Sequence, residues 1–207
     1  MRLLLIIPIL LSVACSKLPV EIDESLVDYV QEAVNISEEY GDNFVIEEIT
    51  IKKAVMSKSK HGQCITQYDS FGNLIKRVVE VNSNSWDYLS HQAKIIVLMH
   101  ELGHCLKSYG HRDFSVNRDY LLDYYGIEMA GSSYIGSIMN STCIACGMNE
   151  FQNLEKYYYE EFFDPEKKRV PIHDVDSFNK LDNTQGFKKK VNKDGSYEIR
   201  TECNHDH

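Results

Sequence analysis

The sequence predicts an α+β fold: a small twisted sheet, one helix carrying the most reactive residues, and a loop-rich, helical C-terminal part. Three observations predict it. Residues 44–51 are rich in β-branched side chains, 64–68 alternate less cleanly and 74–81 are again aliphatic, residues 91–104 form a strongly apolar helical run, and residues 149–163 form a second helical run. At 207 residues the chain fits a single domain that can bury its own core without cross-links.

The chain opens on Met1-Arg2, continues through the apolar run Leu3 to Val13, and exits through Ala14-Cys15. A charged start, a short apolar stretch and a small-residue exit are the marks of an export signal. The run is too short to span a bilayer permanently. Its end, Leu11-Ser12-Val13-Ala14-Cys15, resembles the lipobox of bacterial lipoproteins, although Ser12 stands where a large aliphatic is usual. The resemblance implies that residues 1–14 are a signal peptide and that Cys15 becomes the acylated first residue, tying the mature chain to a membrane. An ordinary cleaved signal peptide is the alternative. Both predict export, to the periplasmic or surface side of a bacterial envelope.

Next, Ile22, Leu26, Val27, Val30 and Ala33 have the spacing of one amphipathic helix. Between the second and third strand segments, Asp69-Ser70-Phe71-Gly72-Asn73 supplies the residues of a tight reversal, which predicts a hairpin. Ser90 can cap a helix from His91 through His104, with Ile95, Met99, Leu102 and Leu106 as its apolar stripe. The run Tyr157-Tyr158-Tyr159 in the last helix is expected to pack in core and surface rather than to form a binding box. Residues 16–163 thus form the expected folded domain. From Asp164 onward the chain turns polar and lysine-rich, and residues 164–207 are expected to be a poorly packed tail with a turn at Asp194-Gly195.

A formal net charge of −9 with scattered lysine and arginine lacks the clustered basic footprint that nucleic acid requires, so none is expected as partner. Setting Cys15 aside, Cys64, Cys105, Cys143, Cys146 and Cys203 remain, an odd number for an oxidising compartment. Cys143 and Cys146 have redox-motif spacing, but no helix-opening context accompanies them, so a structural disulfide is preferred. No second such pair exists to make a zinc knuckle.

The chemistry concentrates in His100-Glu101-Leu102-Gly103-His104. Residues four apart on a helix share one face, so His100 and His104 can direct imidazole nitrogens at one ion. That geometry suits a zinc ion that keeps a position open for water, and Glu101 beside it can take the proton as the water attacks a peptide carbonyl. Burying two imidazoles and a carboxylate in an apolar segment would be costly without such a partner. His111 is the nearest third ligand. On a continued helix it would lie about 10 Å beyond His104, so the helix must end first, and Gly110 can adopt the left-handed conformation that ends it. Asp113 is the next candidate, and Asp119, Asp123 or Glu128 could serve if a later helix supplies a carboxylate. The Cys105 side chain points about 100° away from His104, toward packing or a disulfide rather than the metal.

His100-Glu101-Leu102-Gly103-His104 with His111, followed by Ser137-Ile138-Met139-Asn140, resembles the metzincin zinc peptidases. Lys107 stands where that pattern has glycine, and the last histidine comes one residue late. The resemblance covers roughly residues 90–140. It implies a zincin-like fold, one catalytic Zn2+ held by His100, His104 and His111, Glu101 as base, and Met139 in a methionine-containing turn beneath the metal. It also implies a zinc metallopeptidase hydrolysing peptide or protein substrates. An extended substrate would lie along a sheet edge, and Tyr109 or Tyr134 could assist at the oxyanion. Two rival expectations stand beside it: a non-catalytic envelope lipoprotein or adhesin with a structural metal, and an envelope thiol protein working through Cys143 and Cys146.

Overall fold

The computed structural model describes residues 20–113, 115–131, 133–140, 148–163 and 187–202. The export segment, Cys15, Cys143 and Cys146 lie outside the described residues. The architecture is α+β, as the sequence predicts. A six-stranded sheet, among the described residues, runs β1 (Glu21–Ile22), β2 (Ile49–Ala54), β4 (Leu74–Asn82), β3 (Gly62–Tyr68), β8 (Tyr197–Glu202) and β7 (Phe187–Val191). The first three lie parallel, while β3, β8 and β7 each pair antiparallel with the strand before them in that order.

The β3–β4 hairpin closes where the turn residues predict. The Asp69 carboxylate accepts the backbone N–H groups of Phe71 and Asn73 at 2.9 and 2.8 Å, and Gly72 takes the positive φ of +87° that suits glycine. The helix expected over 22–33 starts later. A 3-10 turn at Glu24–Leu26 is capped by Asp23, and α1 follows at Val27–Glu39. The strand expected at 44–51 also shifts, to Ile49–Ala54, leaving Phe44 as a buried loop residue. A short helix, α2 (Ser83–Trp86), follows β4.

The central helix α3 spans His91–Lys107, and Ser90 Oγ accepts the Ala93 N–H at 3.2 Å. Its expected single stripe proves too narrow, because every residue from Ile95 to Cys105 is buried. The sheet lies on one side, α1 on another, and Met139 and Phe162 close against Gly103, so this stretch is covered all round and its polar residues His100, Glu101 and His104 are buried with it. Below α3, the short pair β5 (Ser115–Asn117) and β6 (Ser133–Ile135) brackets α4 (Arg118–Tyr125). The last helix, α5 (Met148–Phe163), buries Phe151, Leu154, Tyr157, Tyr158 and Phe162 in the core. The tyrosine run is therefore packing, as expected, and the Tyr157 and Tyr158 hydroxyls donate to the carbonyls of Gly136 and Ile135 at 2.6 and 2.8 Å.

The expected poorly packed tail needs correction over 187–202. These residues form the β7–β8 hairpin, and β8 pairs with β3 from Gln63↔Glu202 to Tyr68↔Tyr197. The lysine-rich, exposed β7 reads as polar tail in sequence, yet it pairs with β8, whose other side is laddered to β3 far upstream. Among the described residues no helix is long and apolar enough to cross a membrane.

Candidate metal centre

The helix α3 carries His100, Glu101 and His104, all buried, at 7, 1 and 3% exposure. The turn after it brings in His111, also buried, with its ring centroid 5.4 Å from that of His100 and 4.9 Å from that of His104. One ring nitrogen from each lies within 4.8 Å of the other two, so His100, His104 and His111 could hold a metal ion.

Hydrogen bonds settle the tautomers of two rings. His100 Nδ1 lies 2.7 Å from the Ile138 carbonyl oxygen, and His104 Nδ1 lies 2.5 Å from that of Tyr109. A carbonyl only accepts, so each Nδ1 carries the proton, and in the neutral ring each Nε2 presents a lone pair. Those two Nε2 atoms face each other at 3.0 Å. Facing lone pairs repel unless a cation lies between them, and two ligands of a tetrahedral ion at 2.0 to 2.1 Å would be roughly 3.3 Å apart. The donor set therefore fits a metal. Burial, then the neighbouring His111, pushes His104 down to about 3, and burial also lowers His111 against the opposing pull of Asp113. Both rings are thereby held in the neutral form that ligates.

A turn at Ser137–Asn140 ties the ligands together. The Ile138 carbonyl orients His100, while the Met139 carbonyl accepts the N–H of Arg112, the residue after His111, at 2.8 Å. Ser137 Oγ accepts the Met139 N–H at 3.0 Å and donates to Glu161 at 2.6 Å. The other Glu161 oxygen pairs with Arg112 at 3.0 Å. Burial pushes the Glu161 carboxyl up, against the Arg112 charge and the Ser137 hydroxyl, which pull it down. One carboxylate on α5 thus fixes both the turn and the segment bearing His111. Met139 itself is fully buried, and a β-carbon on Gly103 would come 2.8 Å from its sulfur, so the glycine lets the turn seat directly against α3.

The remaining candidates fall elsewhere. Asp113, Asp119, Asp123 and Glu128 are exposed and outside the histidine cluster. Gly110 does not end α3 as expected. Ser108 does, in the left-handed conformation at φ 56°, with its N–H on the Gly103 carbonyl. Cys105 turns away from the cluster and forms a disulfide with Cys64 on β3, across 41 residues. The Tyr109 ring packs edge-on against Phe162 under the Arg112 guanidinium, and the Tyr134 hydroxyl accepts the Gly131 N–H. In the sheet β3 has β4 on one side and β8 on the other.

Sequence reasoning missed Gly62, Ser108, Glu161 and the partner of Cys105. A β-carbon on Gly62 would come 2.7 Å from both Cγ and Oε1 of Glu101, so the start of β3 presses directly on that carboxylate side chain. A lone glycine opening a strand was the available signal. Glu161, which with Glu160 interrupts the aromatic run Tyr157 to Phe163, was another. No protein-family model matches the chain, and neither the curated proteins nor the solved structures contain a match to it.

Proposed function

We propose that this chain is a zinc-dependent peptidase of zincin-like, metzincin type, exported and lipid-anchored through Cys15 in a bacterial envelope. The observation that carries the reading is the convergence of three buried imidazoles on one point, with Glu101 one residue after the first of them on the same helix. His100, His104 and His111 would be the ligands, leaving one position open. When bound, zinc supplies Lewis-acid activation of a water molecule and of the scissile carbonyl. Glu101 accepts the proton as the water oxygen bonds to the carbonyl carbon. It then returns the proton to the amine nitrogen as the C–N bond breaks. The chain's spacing accords with this reading, since the last histidine comes one residue late and the left-handed turn at Ser108 also falls one residue beyond the place of the usual glycine.

The test compares the mature chain with and without a zinc chelator, beside Glu101→Gln. One zinc per chain is expected in both proteins by elemental analysis. Peptide cleavage should disappear on chelation and fall by roughly 10²- to 10⁴-fold in the variant. Undiminished cleavage by Glu101→Gln would exclude this mechanism, and bound zinc without turnover in the parent would favour a binding module.

A further inference from the structure

We propose that the outer edge of β3 is a binding site for an extended peptide, and that the chain's own β7–β8 hairpin fills it and holds the metal centre latent. The latency, though not the binding site, rests on the peptidase reading.

The geometry begins at Gly62, which opens β3 directly over Glu101. A cavity of about 320 Å³ shows which side of β3 faces the cluster: it is lined by Cys64 and Thr66 of β3, Ile199 of β8 and Lys189 of β7, together with His104 and Ser108 of α3. α3 itself packs on β3 and β4, but its His104 and Ser108 open into this cavity toward the edge of β3 that β8 occupies. A peptide pairing antiparallel there would place its main chain beside Glu101 and His104. That position is taken from Gln63 to Tyr68 by Glu202 to Tyr197, in the same antiparallel sense. The sheet's free edge moves out to β7, two strand spacings or roughly 10 Å away, and a peptide added there would be out of reach of the histidines. Peptide pairing at β3 and a closed hairpin exclude each other.

The hairpin is held in a way that permits exchange. Of its described side chains only Thr201 is fully buried, and residues 188–195 are exposed, Val191 at 63%. Tyr197 stacks on Tyr68 at 4.9 Å, Gln67 donates to Glu198 at 3.1 Å, and Lys189 lies over the Tyr197 ring at 4.2 Å. The described attachment to β3 is otherwise led by the backbone ladder from Gln63–Glu202 to Tyr68–Tyr197, and an incoming strand offers the same ladder in return. An element with so little buried apolar surface belongs to the low-stability end of a fold.

The experiment uses the full zinc-loaded chain with a protease recognition site inserted within residues 164–186, so that the hairpin can be freed by cutting while every residue remains. The probe is a fluorescent synthetic peptide of residues 187–202, followed by anisotropy. The cut chain should bind it at least ten-fold more tightly than the uncut chain, and the amides of Gln63 to Tyr68 should exchange hydrogen faster after cutting. As a second route, Ile199→Pro and Arg200→Pro are made singly in the uncut chain. Adjacent N–H groups on a strand point to opposite sides, so one of the two removes a ladder bond to β3 and should raise probe binding similarly. Equal binding before and after cutting and in both variants overturns the proposal. So does unfolding on cutting, because a displaceable occupant must leave a folded chain behind. Cleavage of an unrelated peptide is scored separately. Probe binding gained without hydrolysis keeps the site and removes the peptidase reading, whereas hydrolysis equal in cut and uncut chains removes the latency and keeps the peptidase.

Discussion

Gly62 lies so close to Glu101 that a β-carbon on the glycine would fall 2.7 Å from both Cγ and Oε1 of the carboxylate side chain. Neither atom can give way easily, since Glu101 is 1% exposed on a helix buried all round. In the proposed mechanism this contact sets where the general base points. Gly62→Ala should therefore displace the Glu101 carboxylate while leaving the imidazoles in place. Zinc content should be unchanged and kcat/KM for a peptide should fall by about 10²-fold, the typical effect of a misplacement near 1 Å. Unaltered kinetics in a folded, zinc-loaded variant would show that Glu101 is not positioned from β3.

The Cys64–Cys105 disulfide joins β3 to α3 one residue past His104. Closing a loop of 41 residues restricts the unfolded chain by about 4 kcal/mol in the chain-entropy account. The double substitution Cys64→Ala and Cys105→Ala should lower stability by about that amount in urea unfolding. A much smaller loss would mean that the core around Val78, Cys64 and Cys105 carries this junction without the cross-link.

Glu161 is the shared partner of Arg112 and Ser137. Glu161→Ala leaves the Arg112 charge half of a broken buried pair, which typically costs 3 to 5 kcal/mol. Because Arg112 also anchors the Met139 carbonyl beside His111, zinc affinity should fall by roughly 10- to 100-fold, the range seen when groups supporting metal ligands are removed. Competition with a chromogenic chelator measures this directly. Stability lost with zinc affinity intact would confine Glu161 to packing.

The metal-free protein should weaken as the solution is acidified. Burial pushes His104 from its ordinary 6.5 down to about 3 in the folded chain. As pH falls between those values the unfolded chain takes up the proton first, so unfolding gains and stability drops. Above about 6.5 both states are neutral and this contribution is flat. Glu161, raised by burial, acts in the opposite sense as pH falls through its folded value. The Tm of chelator-treated protein should accordingly decline from pH 7 toward pH 4, with a shallower decline in His104→Gln. An equally steep decline in that variant would place the proton uptake elsewhere.

Much of the centre was legible in the chain because it is local. The His100 to His104 spacing works through helix geometry alone, and Ser90 caps that helix with its own side chain. The hairpin at Asp69 to Asn73 is likewise settled by residues within the turn. The C-terminal hairpin was not legible: its exposed lysines are those of a solvated tail, and only the pairing of β8 with distant β3 brings it into the sheet. The helix end was misplaced for a related reason, since Ser108 accepts a left-handed conformation that Gly110 would adopt at less cost.

By itself, then, the sequence determined the α+β class, the capped helix and the pair of imidazoles on its face, because each depends on neighbours only a few bonds away. Tertiary structure decided that His111 rather than a carboxylate completes the histidine cluster, that Glu161 ties its supporting turn to Arg112, and that β8 lies along β3. These depend on which distant segments pack together, and that is governed by the burial of the whole core rather than by any local pattern.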